Sequence, residues 1–118
     1  MSKLVEKNDQ APLLSEKQNQ TPSTEGRIPE TSTLIHAAKL SILYDKPILM
    51  DYWINSIEKT VLIGVKEGET PEKLLVKSEE EYTSPISKIY GAGKEYIIIT
   101  ENSIYIVDKQ IPTKRISA

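Results

Sequence analysis

Residues 95–108 read EYIIITENSIYIVD: two runs of β-branched and aromatic side chains on either side of a polar break at Glu101-Asn102-Ser103. Runs of this composition around a short polar turn predict a β-hairpin. Side chains alternate across a strand, so Ile97 and Ile99 face one way and Tyr96 and Ile98 the other. Both faces are apolar, and each needs a cover other than water.

The neighbouring segments predict more strands. Residues 82–90 hold one, clearest over residues 86–90, with Pro85 marking an edge or a strand start, and Gly91-Ala92-Gly93 turns the chain into the hairpin. This Gly-x-Gly lacks the third glycine and the following helix of a phosphate-binding loop, so it reads as a turn. Residues 47–54, PILMDYWI, alternate Ile48, Met50, Tyr52 and Ile54 against Leu49, Asp51 and Trp53, which predicts a strand with one apolar face. A turn follows at residues 55–58. Residues 60–66 predict a strand with Val61, Ile63 and Val65 on one side; Gly64 inside it signals a bulge or a close neighbour, with Trp53 a candidate. Residues 73–78 give a further strand, Leu74 and Val76 opposing Lys73, Leu75 and Lys77. Glu79-Glu80-Glu81 reads as a solvated turn. After the hairpin, Pro112 precedes a short basic strand or tail, Thr113-Lys114-Arg115-Ile116.

One helix is predicted, over residues 33–45, with Thr31, Ser32 and Thr33 as alternative N-caps. Leu34, Ile35, Ala38 and Ile42 lie within about one third of a turn of one another, and Ala37, Leu40 and Tyr44 form a second apolar stripe. A helix apolar around so much of its circumference is expected to be covered on more than one side, by the sheet and by a neighbour. Pro47 stops it, because the residue before a proline avoids the helical region. The fold class expected is α+β, mainly β: one N-terminal helix packed on a six- to seven-stranded antiparallel meander, which twists into a small barrel or half-barrel or rests one face on the helix.

Composition divides the chain near Thr33. Residues 1–33 hold seven apolar side chains and residues 34–118 hold 38. The first part buries too little to offset an ordering entropy of roughly 1–2 kcal/mol per residue, so residues 1–33 are expected to be a disordered polar arm and residues 34–118 a small β-rich domain. Three short patterns lie in the arm: the acidic dileucine pattern ending at Leu13-Leu14, the sequon Asn19-Gln20-Thr21 and the proline-directed Thr21-Pro22. Each arises often by chance in polar linkers.

Charge and residue inventory narrow the function. The net charge is −2, with no basic excess to collect nucleic acid or an anionic membrane. Cysteine is absent, which excludes disulfides and thiolate metal sites. His36 is the single histidine and borders an apolar helical stripe, a structural position more than a catalytic one. Nucleophilic catalysis needs a nucleophile beside a base, and no such pairing is visible. No cofactor or metal is expected. No apolar run reaches the ~18 residues that cross a bilayer, and the N-terminus lacks a secretory apolar stretch, which together suggest an intracellular, soluble protein.

Two segment pairs carry a family resemblance. IHAAKLSI (residues 35–42) with DKPILMDYW (45–53), and KLLVKSEEEYTSPI (73–86) leading into EYIIITENSIYIV (95–107), resemble small proteins of unassigned activity encoded by nucleocytoplasmic large DNA viruses. The resemblance covers residues 34–117 and brings no catalytic residue. It implies a viral protein of the host cytoplasm or the virion, a minor or internal component of a large particle. Separately, residues 96–107 resemble the paired strands of pleckstrin-homology-like domains. Those domains place a helix after their strands, whereas here the helix comes first.

The function expected is therefore a non-enzymatic structural or adaptor protein that contacts other proteins, with oligomer formation compatible. Trp53, Tyr90, Tyr96 and Tyr105 are the candidate partner-binding residues. The alternative is a small module for lipid headgroups or single-stranded nucleic acid, with Lys88, Lys94, Lys109, Lys114 and Arg115 as its cations. Aromatic side chains on strands can stack bases, but the chain has no phenylalanine, so its tyrosines and its tryptophan are needed for the core.

Overall fold

The computed structural model describes residues 27–116. The expected disorder of residues 1–26, with the dileucine, sequon and Thr21-Pro22 patterns, lies outside the described residues. In chain order the elements are α1 (Thr31–Tyr44), β1 (Ile48–Leu49), α2 (Trp53–Ile57), β2 (Leu62–Lys66), β3 (Glu72–Val76), β4 (Ile86–Ala92), β5 (Glu95–Thr100), β6 (Ile104–Asp108) and β7 (Thr113–Ile116).

The fold is α+β and mainly β, and the hairpin of β5 and β6 is its centre. The two strands pair antiparallel from Glu95 opposite Asp108 to Ile99 opposite Ile104. At the turn, the Thr100 N–H donates to the Ser103 carbonyl at 2.9 Å, and the Thr100 hydroxyl oxygen accepts from the N–H groups of Asn102 and Ser103. β4 extends the sheet beyond β5, through a turn in which Gly93 takes φ +57, a region open to glycine without a Cβ penalty. On the other side, two residues of β1 pair in parallel with β6. The four-stranded sheet runs β1-β6-β5-β4.

A second sheet, β3-β2-β7, covers one face of the first. Here the structure departs from an antiparallel meander. β2 pairs antiparallel with β3 and parallel with β7, so the C-terminal strand returns to the edge of a sheet made earlier in the chain. The reason is local: the chain leaves β6 through a turn at residues 109–110 and buries Ile111 between the sheets, which delivers Pro112 beside Ile63. Among the described residues neither sheet closes into a barrel.

Three layers result. Ile98, Tyr105 and Val107 from the first sheet meet Ile63 and Leu75 from the second and Val61 just before β2, with Tyr52 and Ile111 also in the cluster. On the opposite face, Ile97, Ile99, Ile104 and Ile106 meet Ala37 of α1 and Trp53 of α2. The two apolar faces of the hairpin are thus covered by different elements, a sheet and a helical layer.

Residues 47–54 are the main local correction. Only Ile48 and Leu49 extend; the chain then turns, with the Trp53 N–H bonded to the Met50 carbonyl, and α2 takes residues expected as strand and turn. The period-2 pattern is present, and Tyr52 and Trp53 do enter opposite layers, the inter-sheet core and the helical layer, but from a turn and α2 rather than from a strand. A turn at that point satisfies both. Gly64 also has a different neighbour from the one expected. A Cβ there would come within 2.8 Å of Ile116 Cδ1, so its close contact is β7 rather than Trp53.

α1 starts at Thr31 after Glu30, and none of Thr31, Ser32 and Thr33 is its N-cap. Asp45 takes the left-handed conformation at its C-terminus, φ 56. The stripe that packs on the sheet is Ala37, Leu40 and Tyr44.

Ile98 is fully buried between the sheets. Ile98→Ala should cost about 2–5 kcal/mol, read as a lower urea midpoint at unchanged slope. Burial between the sheets pushes the Tyr52 phenol up from its ordinary 10.0 to about 12. The unfolded chain then loses this proton before the folded one does. Tyr52's stabilising effect is intact below pH 10 and is lost as pH rises from 10 towards 12. Tyr52→Phe should flatten the stability-against-pH curve in that window, and tyrosinate absorbance should lose one late-titrating group, with Tyr105, also raised by burial, remaining.

Candidate functional site

Glu95 and Asp108 stand directly opposite each other at the open end of the hairpin, on the face that carries Ile97 and Ile106. Like charges directly across a strand pair repel, and Glu95 is completely buried. Arg27 resolves both problems. Its Nη1 donates to Glu95 Oε2 at 2.5 Å and its Nη2 to Asp108 Oδ2 at 2.7 Å. The two carboxylates raise the Arg27 pKa, the hydrogen bond to Glu95 being the largest cause.

The second Glu95 oxygen is satisfied as well. The Thr33 hydroxyl donates to Glu95 Oε1 at 2.5 Å, and the Glu30 N–H at 3.3 Å. This is why Thr33 does not cap the helix. The strap of residues 27–30 is then held from both sides. Trp53 Nε1 donates to the Arg27 carbonyl at 2.9 Å, and the Arg27 guanidinium lies 4.9 Å from the centre of the Trp53 ring. The Glu30 carboxylate accepts from the Lys94 N–H in the β4–β5 turn. Ser56 of α2 accepts from the Asp108 N–H at 3.0 Å. Arg27 and Glu30, in the segment expected to be arm, therefore pack on the folded unit.

These contacts fix how α1 lies on the sheet, and so which face it turns outward. Thr33, Ala37, Leu40 and Tyr44 point to the sheet; Leu34, Ile35, Ala38, Ile42 and Leu43 point away. Ile42 is 82% exposed, Leu43 71% and Ile35 51%. The stripe of Leu34, Ile35, Ala38 and Ile42, the first that the sequence suggests, is the uncovered one. Ile54 of α2, in the same layer, is half exposed. Scattered apolar surface residues are ordinary, but contiguous ones mark interaction sites. Leu34, Ile35, Ala38 and Ile42 share one helix face and are contiguous, with Leu43 at its border.

The four aromatic candidates divide. Trp53 is buried in the helical layer, and Tyr105 is buried between the sheets, edge-on to Tyr52 with ring centres 5.2 Å apart. Both are core side chains. Tyr96 is half-buried against the inter-sheet core with Lys109 above its ring. Tyr90 lies on β4 at the sheet edge, where its hydroxyl is 3.4 Å from that of Tyr44. Lys88 donates to the Tyr44 hydroxyl at 2.9 Å and so lowers the Tyr44 pKa. Tyr44 and Tyr90 form a local polar cluster; with Trp53 and Tyr105 buried, the four candidates do not make one continuous face.

The remaining candidates lie apart. His36 is exposed on α1, and Glu79, Glu80 and Glu81 occupy an exposed turn with Glu81 paired to Lys77. Among the described residues, no three of His, Cys, Asp and Glu gather as a metal site would require, and no helix is long and apolar enough to cross a membrane. On the outer face of the second sheet an open cleft of about 560 Å³ has Leu74, Val76, Ile116 and Tyr82 as its apolar lining and Lys66, Arg115 and Glu79 among its polar groups. Arg115 is paired there with Glu67 at 3.2 Å.

Sequence reading missed Arg27. The signal was two carboxylates, at the first and last positions of one hairpin and so across from each other, on the side facing isoleucines, which require a cation. No family model, no curated protein and no solved structure matches the chain.

Arg27→Met removes the only cation touching Glu95 among the described contacts and should cost about 3 kcal/mol, near the lower end for a broken buried pair because Arg27 itself is about one third exposed. Adding Glu95→Gln to Arg27→Met should recover part of that loss, measured by thermal and urea unfolding of both variants.

Proposed function

We propose that this chain is a non-enzymatic structural or adaptor protein that binds other proteins through the outward face of α1. The observation that carries this reading is the set of five aliphatic side chains, Leu34, Ile35, Ala38, Ile42 and Leu43, turned away from a sheet whose core is already complete. A fold that needed α1 only as a lid would gain solubility from polar residues there. Burying an aliphatic side chain stabilises by about 1.5–3 kcal/mol, so a few such residues can anchor a partner. The resemblance of residues 34–117 to small proteins of large DNA viruses supports a setting for the adaptor: a minor or internal component of a large particle.

The second reading, a small ligand-binding module, is favoured by the cleft beneath Tyr82, where Lys66 and Arg115 could meet an anionic headgroup. Against it, Arg115 is already paired with Glu67.

One experiment separates the two. A photoreactive residue in place of Ile42 should capture one identified protein in cells expressing the full chain, while the same residue in place of Glu80, in the exposed acidic turn, should not. Capture of lipid alone, or equal capture at both positions, overturns the adaptor reading. Binding to oligonucleotides or anionic vesicles that survives ~150 mM salt, where exposed charges beyond ~8 Å are screened, would favour the ligand module instead.

A further inference from the structure

We propose that two copies of this chain pair through α1, antiparallel, about a two-fold axis beside Ala38; this rests on reading the outward face of α1 as a protein-binding surface. The sequence of that face is symmetric in character about Ala38. Leu34 lies four residues before it and Ile42 four after. Residues four apart share a helix face. Laying a second α1 antiparallel with Ala38 opposite Ala38 brings Leu34 against the partner's Ile42, and Ile42 against the partner's Leu34. This is the self-complementary contact of a two-fold interface. Alanine at the crossing lets the backbones approach, while the larger residues fill the space on either side.

The ends of α1 favour the same arrangement. The helix has no acidic residue in its first turn and no basic residue in its last, and its N-cap Glu30 makes no side-chain cap bond. Asp45, exposed at the C-terminus, adds a carboxylate to the end that already carries negative partial charge. The Asp45 end is unfavourable by itself, whereas at the other end the Arg27-paired Glu95 carboxylate serves the sheet-facing Glu30 N–H and Thr33 hydroxyl and leaves Thr31 and Ser32 exposed on the outward side. Thr31 and Asp45 are each seven residues from Ala38, so antiparallel pairing sets Asp45 beside the first turn of the partner helix. There its charge meets the positive end of the dipole. A parallel pair would instead bring the two Asp45 carboxylates together. An anionic membrane finds a weaker match, since Lys39 is the one cation among the exposed residues of α1.

The chain has no cysteine, so a single introduced thiol reports the register. In the full chain, Ala38→Cys should form a disulfide-linked dimer at least roughly tenfold faster than Leu34→Cys. Two Leu34 positions are offset by eight residues along antiparallel helices, about 12 Å, beyond disulfide reach. The double variant Leu34→Cys with Ile42→Cys should cross-link between chains. Sedimentation equilibrium of the wild-type chain should show a concentration-dependent dimer, weakened at least roughly tenfold by Ile42→Asp and measurably by Asp45→Asn. Asp45→Asn keeps a residue that tolerates the left-handed conformation, and unchanged thermal unfolding would show that the fold is intact.

A chain that stays monomeric at the highest concentration, equal cross-linking of Ala38→Cys and Leu34→Cys, or a dimer strengthened by Asp45→Asn overturns the proposal. A monomer that still captures another protein through position 42 overturns the dimer alone. A monomer that captures none overturns the adaptor reading as well.

Discussion

Every strand residue from Tyr96 to Ile99 and from Ile104 to Val107 carries a large apolar side chain, so the central hairpin cannot leave either face in water. That constraint sets the layers. β-branched side chains on alternate positions demand two covers at about the same distance from one backbone. The chain supplies them from both sides of the hairpin: α1 and α2 come before it, whereas the second sheet combines two strands before it with one after it. The parallel addition of β7 follows from this. Ile111 is drawn between the sheets, and the edge of β2 is then the nearest unpaired row of backbone donors and acceptors.

Apolar burial alone would leave α1 free to slide or rotate on a surface of isoleucines. The polar contacts at the hairpin's open end remove that freedom. Arg27 spans Glu95 and Asp108, Thr33 reaches Glu95 from the first turn of α1, and Trp53 holds the Arg27 carbonyl. A buried ion pair can be a weak contributor to net stability, since desolvation offsets much of its attraction. Its clearer effect here is geometric. It selects one rotation of α1, with Ala37 inward and Ile42 outward, and ties the strap, both helices and the hairpin into one unit.

The outward apolar face is a consequence of that selected rotation. α1 has two apolar stripes and one sheet to bury them on. The stripe with the smaller contact residue, Ala37, lies closest to the sheet, while the bulkier Leu34, Ile35 and Ile42 stay outside. A packing rule based on side-chain size alone would choose the opposite. Small residues at the contact allow the helix axis to approach the sheet, and Thr33 on the same stripe supplies the hydroxyl that Glu95 requires.

Much of the fold was legible in residue order. The hairpin, the strand starts near Leu62, Glu72 and Ile86, the helix ending before Pro47 and the two-faced burial of residues 96–99 follow from alternation, β-branching and proline chemistry, all local properties. The α2 segment was not legible, because PILMDYWI has a strand's period, and the opposite-layer placement of Tyr52 and Trp53 that this period implies is reached instead by a turn and a short helix. The lack of phenylalanine assigned the tyrosines and the tryptophan to the core as a group, but not which of them: alternation says which side a residue faces, not whether that side is covered, so the burial of Trp53 and Tyr105 against the edge position of Tyr90 was not legible. By itself the sequence determined the elements and the apolar character of both hairpin faces. Only the tertiary structure decided which element covers which face, that Arg27 belongs to the folded unit, and which stripe of α1 remains open, because those outcomes depend on contacts between residues up to 81 positions apart.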